Sequence, residues 1–208
     1  QWNHALAATG SIIGITIAST NLTTSIGNNT FTDLTTNTTG SFTFISASYS
    51  TPASGTKTIN NNSIVTAFNK TGAGGKVRLY SESGSSTTGK TVQNNNNNFS
   101  NITLTGATTM AGWFNNDGTG STPVKTMNGN TFSNWTCGTS AVNVLQCNFG
   151  GNANISNNAI SNITGQGAVT AILRGSSGTV AQLDIANNVI SNVTSTSTGG
   201  TVIGVSFT

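Results

Sequence analysis

A ten-residue pattern that recurs about every thirty residues is the feature of this sequence that most restricts its fold. Two copies are nearly identical, SNNAISNIT at 156–164 and ANNVISNVT at 186–194. The six copies are IGNNTFTDLT (26–35), INNNSIVTAF (59–68), NNNNNFSNIT (94–103), MNGNTFSNWT (127–136), ISNNAISNIT (155–164) and IANNVISNVT (185–194). A near-constant period of this length is typical of solenoids, in which each repeat stacks on its neighbours.

Asparagine is the most constant residue of the pattern. It lies two residues before the central Phe or Ile of every copy, at Asn29, Asn62, Asn97, Asn130, Asn158 and Asn188. The residue before it is also Asn in five copies and is Gly129 in the fourth. In the third copy we expect Val92 to take the first apolar position, with two extra asparagines inserted after it.

Short apolar runs separate the copies, for example VRLY at 77–80 and VNVL at 142–145. Such β-branched runs, bounded by loops rich in Gly, Ser and Thr, are typical of strands. Helix formers with a 3.6-residue period are missing. We therefore predict an all-β parallel solenoid of about six to seven rungs, with a period of about 28–35 residues and almost no helix.

Stacked rungs explain why the same residues recur. Adjacent rungs of such a solenoid lie ~4.8 Å apart, so equivalent residues form columns. Asparagine tolerates the left-handed backbone conformation of a sharp corner, and its side-chain amide can bond the Asn above and below it. We expect the six asparagines to form a ladder and the central Phe and Ile residues to fill the interior.

The I-x-N-N-x-[FI]-S-N-[IV]-T pattern resembles that of the right-handed parallel β-helix of the pectin-lyase-like superfamily. The charge-poor version with long rungs, rich in Asn, Thr and Ser, is similar to repetitive surface proteins of Bacteroidota that the type 9 secretion pathway exports. The resemblance implies an extracellular or cell-surface location. It does not by itself imply an activity, since many unrelated functions use this fold.

Composition argues against several classes of function. Charged residues make up 5% of the chain, against roughly 25% in ordinary proteins. The net charge is +3 without any Lys/Arg cluster, so we expect no nucleic-acid partner. No apolar run is long enough for a membrane span, and the first residues lack the pattern of a signal peptide. His4 is the only histidine, and we expect no metal or cofactor. Cys137 and Cys147 either form a disulfide or are small buried residues.

Few side chains are suited to catalysis. Polysaccharide-cleaving enzymes of the resembled superfamily use acidic calcium ligands with a basic residue, or paired aspartates. Aligning VRLYSESG (77–84) with AGWFNNDG (111–118) places Glu82 beside Asn116, one residue from Asp117. Two carboxyl groups one rung apart would be ~5 Å distant, a separation used by retaining glycosidases. Glu82 and Asp117 are therefore weak catalytic candidates, and the alternative is that both are surface charges on loops.

Three lysines, Lys57, Lys90 and Lys125, each precede a Thr and an apolar residue in consecutive copies. Stacking would align them in a basic stripe that binds an acidic glycan, or that only keeps an uncharged face soluble. Trp113 is the candidate for an exposed sugar-stacking platform, and the alternative is that it lies in the core. Arg174 lies on a column near Glu82 and Asp117. Trp135 takes an Ile/Val position of the repeat, which favours the core.

A recurring threonine raises a third possibility. Thr occupies the last pattern position in five copies, at Thr35, Thr103, Thr136, Thr164 and Thr194, and Phe68 interrupts the column. A flat threonine array suggests ice binding, but single threonines on rungs of unequal length argue against it.

These observations favour a single β-helix domain over 1–208, expected to be a segment of a longer array. The function expected is structural or adhesive and non-catalytic, as part of a stalk, filament or adhesin. The expected partners are neighbouring rungs of the same or an identical chain, surface glycans and the secretion machinery. The alternative function is a carbohydrate-binding or polysaccharide-cleaving β-helix protein that works near Glu82, Asp117, Lys90 and Arg174.

Overall fold

The computed structural model describes residues 3–84, 90–116, 124–148, 151–175 and 180–208. These residues form strands and no helix. The strands are β1 (Asn3–Ala8), β2 (Ile12–Thr16), β3 (Thr23–Gly27), β4 (Thr30–Phe31), β5 (Leu34–Thr38), β6 (Phe42–Ser46), β7 (Thr56–Asn60), β8 (Ser63–Ile64), β9 (Phe68–Lys70), β10 (Lys76–Glu82), β11 (Thr91–Asn95), β12 (Asn98–Leu104), β13 (Thr109–Asn115), β14 (Val124–Asn128), β15 (Thr131–Cys137), β16 (Val142–Cys147), β17 (Gly151–Ser156), β18 (Ala159–Gly165), β19 (Val169–Arg174), β20 (Val180–Ala186), β21 (Val189–Ser195) and β22 (Val202–Phe207).

The strands form three sheets that run along the solenoid. Sheet A has the order β1-β5-β9-β12-β15-β18-β21, with the short β4 and β8 paired beside it. Sheet B has the order β2-β6-β10-β13-β16-β19-β22, and sheet C has the order β3-β7-β11-β14-β17-β20. Neighbouring strands pair in parallel, for example β15 with β18 and β16 with β19. The predicted all-β parallel solenoid is confirmed.

The central Phe and Ile residues of the repeat form one column in sheet A, as predicted. Phe31 pairs with Ile64, and each later copy continues the column in the same register. Ile64, Phe99, Phe132 and Ile160 are buried in the core between the three sheets. Strand alternation points these residues inward, and the unchanged spacing within the pattern keeps them in line.

The third copy of the repeat differs from the prediction. Asn94, and not Val92, pairs with Ile59 and Met127 in the first apolar column. Asn94 lies three residues before Asn97, and Ile59 lies three residues before the ladder residue of its own copy, so this copy contains no insertion. Asn94 is buried, and among the described residues neither atom of its side-chain amide has a hydrogen-bond partner.

Two kinds of asparagine make the corners. The first Asn of each pair has a left-handed backbone conformation, and so does the glycine that replaces it. These residues are Asn28, Asn61, Asn96, Gly129, Asn157 and Asn187, with φ between 54° and 68°. Gly129 is tolerated in the fourth copy because this position needs a positive φ and not an amide. The second Asn of each pair supplies the ladder.

Within the part of the chain that the structure describes, no helix has the length and apolar character needed to cross a membrane.

Candidate functional site

The asparagine ladder is the most regular polar feature of the interior. At its centre, Asn130 Nδ2 donates to Asn158 Oδ1 at 2.9 Å and to the Asn94 carbonyl at 2.8 Å. The Asn130 backbone N–H also donates to Asn158 Oδ1, at 3.0 Å. Asn97 donates to Asn130 Oδ1 in the same two ways, at 2.9 and 3.0 Å. Each central amide is therefore saturated, as a buried polar group must be.

The ladder extends over all six copies. The side-chain amide distances are 2.9 Å from Asn29 to Asn62, 3.0 Å from Asn62 to Asn97 and 2.8 Å from Asn158 to Asn188. The prediction of a structural ladder at these six positions is confirmed.

A second, exposed ladder lies on the outer side of sheet A. Asn134 donates to Asn101 at 3.1 Å, Asn162 to Asn134 at 3.1 Å, and Asn192 to Asn162 at 3.0 Å. All four residues have positive φ, between 50° and 62°. These hydrogen bonds join each rung to the preceding one, opposite in direction to those of the buried ladder.

The three lysines of the predicted basic stripe are not exposed. Lys57 and Lys90 have no exposed surface and Lys125 is 2% exposed. Lys57 and Lys125 both pair with Val92, whereas Lys90 lies two residues before it and off their column. Lys57 lies two residues before the inward-facing Ile59, so strand alternation turns it inward as well. The two-residue spacing from Lys57 to Ile59 is therefore the feature of the sequence that indicates a buried lysine.

Glu82 is at the centre of a buried polar cluster at the corner between sheets B and C. Its Oε1 atom lies 2.8 Å from Lys57 Nζ and 3.6 Å from Lys90 Nζ. Its Oε2 atom accepts hydrogen bonds from the Tyr80 hydroxyl at 2.9 Å and from Asn115 Nδ2 at 3.1 Å. We call these five residues the Glu82 cluster.

The placement of Glu82 corrects two expectations. Its carboxyl group is fully buried and is not on a loop. It pairs with Asn115 and not with Asn116, because Val77 aligns with Met110, one residue from the predicted alignment. Asp117, its expected partner, lies outside the described residues.

Lys57 fixes the chain that leads into its own rung. Its ammonium group donates to the Ala47 carbonyl at 2.7 Å, to the Tyr49 carbonyl at 3.4 Å and to Glu82. It also lies 4.0 Å from the centre of the Tyr49 ring. Burying an ion pair costs desolvation energy, which such additional hydrogen bonds offset.

Lys70 has the same role at the corner between sheets A and B, and sequence reasoning missed it. It is fully buried, and its ammonium group donates to the carbonyls of Gly72 and Gly74 and to Thr108 Oγ1. Burial lowers the pKa of Lys70. Lys57 and Lys70 therefore donate hydrogen bonds to loop carbonyls inside the corners of the solenoid.

Trp113 is buried, 3% exposed, and is not the platform that was expected. Its ring packs edge-to-face on Tyr80, with the centroids 5.4 Å apart. The next residue, Phe114, faces outward from sheet B and is half-buried. The Arg78 guanidinium lies 4.1 Å from the centre of the Phe114 ring, and burial lowers the pKa of Arg78.

Arg174 is also buried, and its Nη1 atom donates to the Cys147 carbonyl at 3.4 Å. Both cysteines are buried free thiols, so Cys137 and Cys147 do not pair. Burial raises the pKa of each thiol to about 12, and in Cys147 the charges of Arg174 and Lys125 oppose this rise.

These features define the chain as a parallel β-solenoid with a buried asparagine ladder and inward-facing cations. No protein-family model, no curated protein and no solved structure shows a significant match to it.

Proposed function

We propose that this chain is a structural or adhesive segment of a large secreted or cell-surface β-helix protein, such as a stalk, filament or adhesin. The observation that carries the proposal is that most of the cationic side chains point into the interior of the solenoid. Of the seven Lys and Arg residues, five are buried: Lys57, Lys70, Lys90, Lys125 and Arg174. Cations used inside the corners serve the scaffold and leave the surface almost uncharged.

The outer side of sheet A supports the same conclusion. The strands β12, β15, β18 and β21 carry no charged residue. Thr103, Thr136, Thr164 and Thr194 are in register beside the exposed Asn ladder. The ladder amides bond to one another, and the side chains beside them are uncharged hydroxyls, which suits a spacer surface.

The finer assignment rests on the sequence pattern. The similarity to Asn/Thr-rich repetitive surface proteins favours a Bacteroidota source and export by type 9 secretion. The partners proposed are neighbouring rungs of the same or an identical chain, surface glycans and the secretion machinery.

Labelling of source cells tests the location. An antibody raised against the chain should stain intact cells as strongly as permeabilised ones. Staining that requires permeabilisation would refute a surface location, and an antibody against a cytoplasmic enzyme of the same cells is the control for leakage.

A second candidate function is glycan binding on the outer side of sheet B. The Arg78–Phe114 stack lies beside Gln146, which pairs with Phe114, and Asn143, whose Nδ2 lies 3.5 Å from Gln146 Oε1. An aromatic face, a cation and side-chain amides are suited to an acidic sugar chain. Cleavage at Glu82 lacks this support because the carboxyl group is buried among its partners.

A polysaccharide panel separates the two functions. The spacer function predicts no saturable binding and no new reducing ends with either neutral or acidic polysaccharides. Saturable binding of an acidic polysaccharide that Phe114→Ala abolishes would establish the glycan-binding function instead. Val124→Ala, at the exposed first residue of β14 in sheet C, should retain this binding.

A further inference from the structure

We propose that the side chains of Lys90 and Asn115 become joined by an intramolecular isopeptide bond, with Glu82 transferring the protons. The proposal rests on the Glu82 cluster alone and is independent of the proposed function. It assigns a covalent modification to a buried group of residues that otherwise forms only an ion-pair network.

The arrangement of the cluster brings the reacting groups to one carboxylate. Lys90 Nζ lies 3.6 Å from Glu82 Oε1, and Asn115 Nδ2 donates to Glu82 Oε2 at 3.1 Å. The amine and the carboxamide therefore approach the two oxygens of the same carboxyl group. Holding the amine and the carboxamide at one carboxyl group removes part of the loss of freedom that their encounter would otherwise require.

The environment of the cluster favours the reaction over hydrolysis. Glu82, Lys90 and Asn115 have no exposed surface. The rings of Tyr80 and Trp113 pack against each other beside Glu82 and Asn115 in sheet B. A site from which water is excluded protects a carboxamide from attack by water and strengthens the effect of a neighbouring carboxylate.

The position along the solenoid favours Lys90 over Lys57 as the nucleophile for this step. The ammonium group of Lys57 donates to the Ala47 carbonyl, to the Tyr49 carbonyl and to Glu82 Oε1. These two carbonyls belong to the chain that precedes the rung of Glu82, so they hold Lys57 away from the rung of Asn115. Lys90 immediately precedes β11, the first strand of the rung that ends in Asn115.

The step is balanced without any further reactant. The Lys90 ammonium gives a proton to Glu82, and the free amine attacks Asn115 Cγ to form the new C–N bond. The carboxyl group delivers the proton to Nδ2, and the bond between Cγ and Nδ2 breaks. The nitrogen of the new amide loses its second proton to the leaving group, which departs as ammonium, and Glu82 ends as the carboxylate. This is general acid–base catalysis by one positioned carboxyl group.

The product would close one complete rung into a covalent ring, from the start of β11 to the end of β13. It would also remove one of the two ammonium charges that approach Glu82, and leave Lys57 as the ion-pair partner of this carboxylate.

Peptide mapping of the purified chain, fully unfolded and digested with trypsin, tests the bond. We expect trypsin not to cut after Lys90, since its amine is an amide, so that one peptide spans 79–125. Its mass should be lower than the sequence mass by one ammonia molecule. This readout excludes the loss of ammonia from the N-terminal Gln or from succinimide formation at another Asn, because neither protects Lys90 from trypsin.

Variants assign the roles. Glu82→Gln, Asn115→Leu and Lys90→Arg should each give cleavage after residue 90 and a full-mass peptide, whereas Lys76→Arg should retain the ammonia loss. Complete cleavage after Lys90 in the unaltered chain, with full masses for both peptides, would overturn the proposal. This test does not depend on whether any variant folds. A link from Asn115 to Lys57 would overturn the assignment of Lys90, and a bond that forms in Glu82→Gln would overturn the role of Glu82.

Discussion

Replacing Asn158 with alanine tests whether the buried ladder stabilises the fold. Asn158 is 1% exposed, and its Oδ1 atom accepts both the backbone N–H and the side-chain N–H of Asn130. Its Nδ2 atom donates to the Met127 carbonyl at 2.9 Å and to Asn188 Oδ1 at 2.8 Å. The substitution removes all four of these hydrogen bonds at once.

The magnitude follows from the groups that lose their partners. The two donors of Asn130 remain in a position that is 1% exposed, where water does not replace the lost acceptor. Each unsatisfied buried donor costs ~1–3 kcal/mol, so the two give a loss of about 2–6 kcal/mol. We expect a decrease of about 3 kcal/mol in the free energy of unfolding, since some rearrangement of the column offsets part of the loss.

Equilibrium unfolding in urea measures this change, with the fluorescence of the buried Trp113 and Trp135 as the signal. The matched control is Asn162→Gly in the exposed ladder. Asn162 has a φ of 55°, which glycine accepts, and water replaces its amide. We expect the control to change stability by less than about 1 kcal/mol. Equal losses in Asn158→Ala and Asn162→Gly would refute the ladder as a source of stability.

The remaining predictions concern buried charges, thiols and corners. Trypsin should leave the folded chain largely uncut and should cut first after Lys76, the exposed basic residue of β10. Gel analysis of a digestion time course measures this. Rapid cleavage after Lys57 would contradict the burial of that residue. Cys137 and Cys147 should not react with a thiol reagent at pH 8 until urea is added, and stability should fall as the pH rises from about 9 towards 12. The reason is that the folded thiols, with pKa values of about 12 against 9.0 for ordinary thiols, stay protonated while the unfolded ones ionise. Gly129→Asn should be nearly neutral and Gly129→Val should lose more than about 1 kcal/mol, because the φ of 68° suits only the former; thermal melting of both variants decides this.

The part of the fold that could be predicted is the part fixed by the repeat itself. The central Phe and Ile residues and the six ladder asparagines hold a constant spacing, so their columns follow from the sequence alone. The run of five asparagines at 94–98 has no internal landmark, and the register at Asn94 was therefore wrong. The pairing of Asn94 with Ile59 and Met127, together with the hydrogen bond from Asn62 to Asn97, shows where this copy lies.

The polar interior could not be predicted in the same way. Lysine is rarely fully buried, and this general tendency outweighed the strand alternation that turns Lys57 and Lys125 inward. The sequence predicts Asn116 beside Glu82, whereas the structure pairs Glu82 with Asn115. The short apolar runs of sheet B align equally well when they are shifted by one residue. Which groups surround a buried carboxyl group depends on contacts between rungs, and the sequence pattern does not encode these distances.

The two asparagine ladders have opposite directions, and this affects how far such a chain can be extended. In the buried ladder Asn97 donates forward to Asn130, whereas in the exposed ladder Asn134 donates backward to Asn101. An α-helix aligns all its peptide dipoles and acquires a charge separation between its ends. Here the side-chain dipoles of one column oppose those of the other, so each added rung contributes to both and little net dipole accumulates. A solenoid of this type can therefore be lengthened without building an electric field along its axis from these amides.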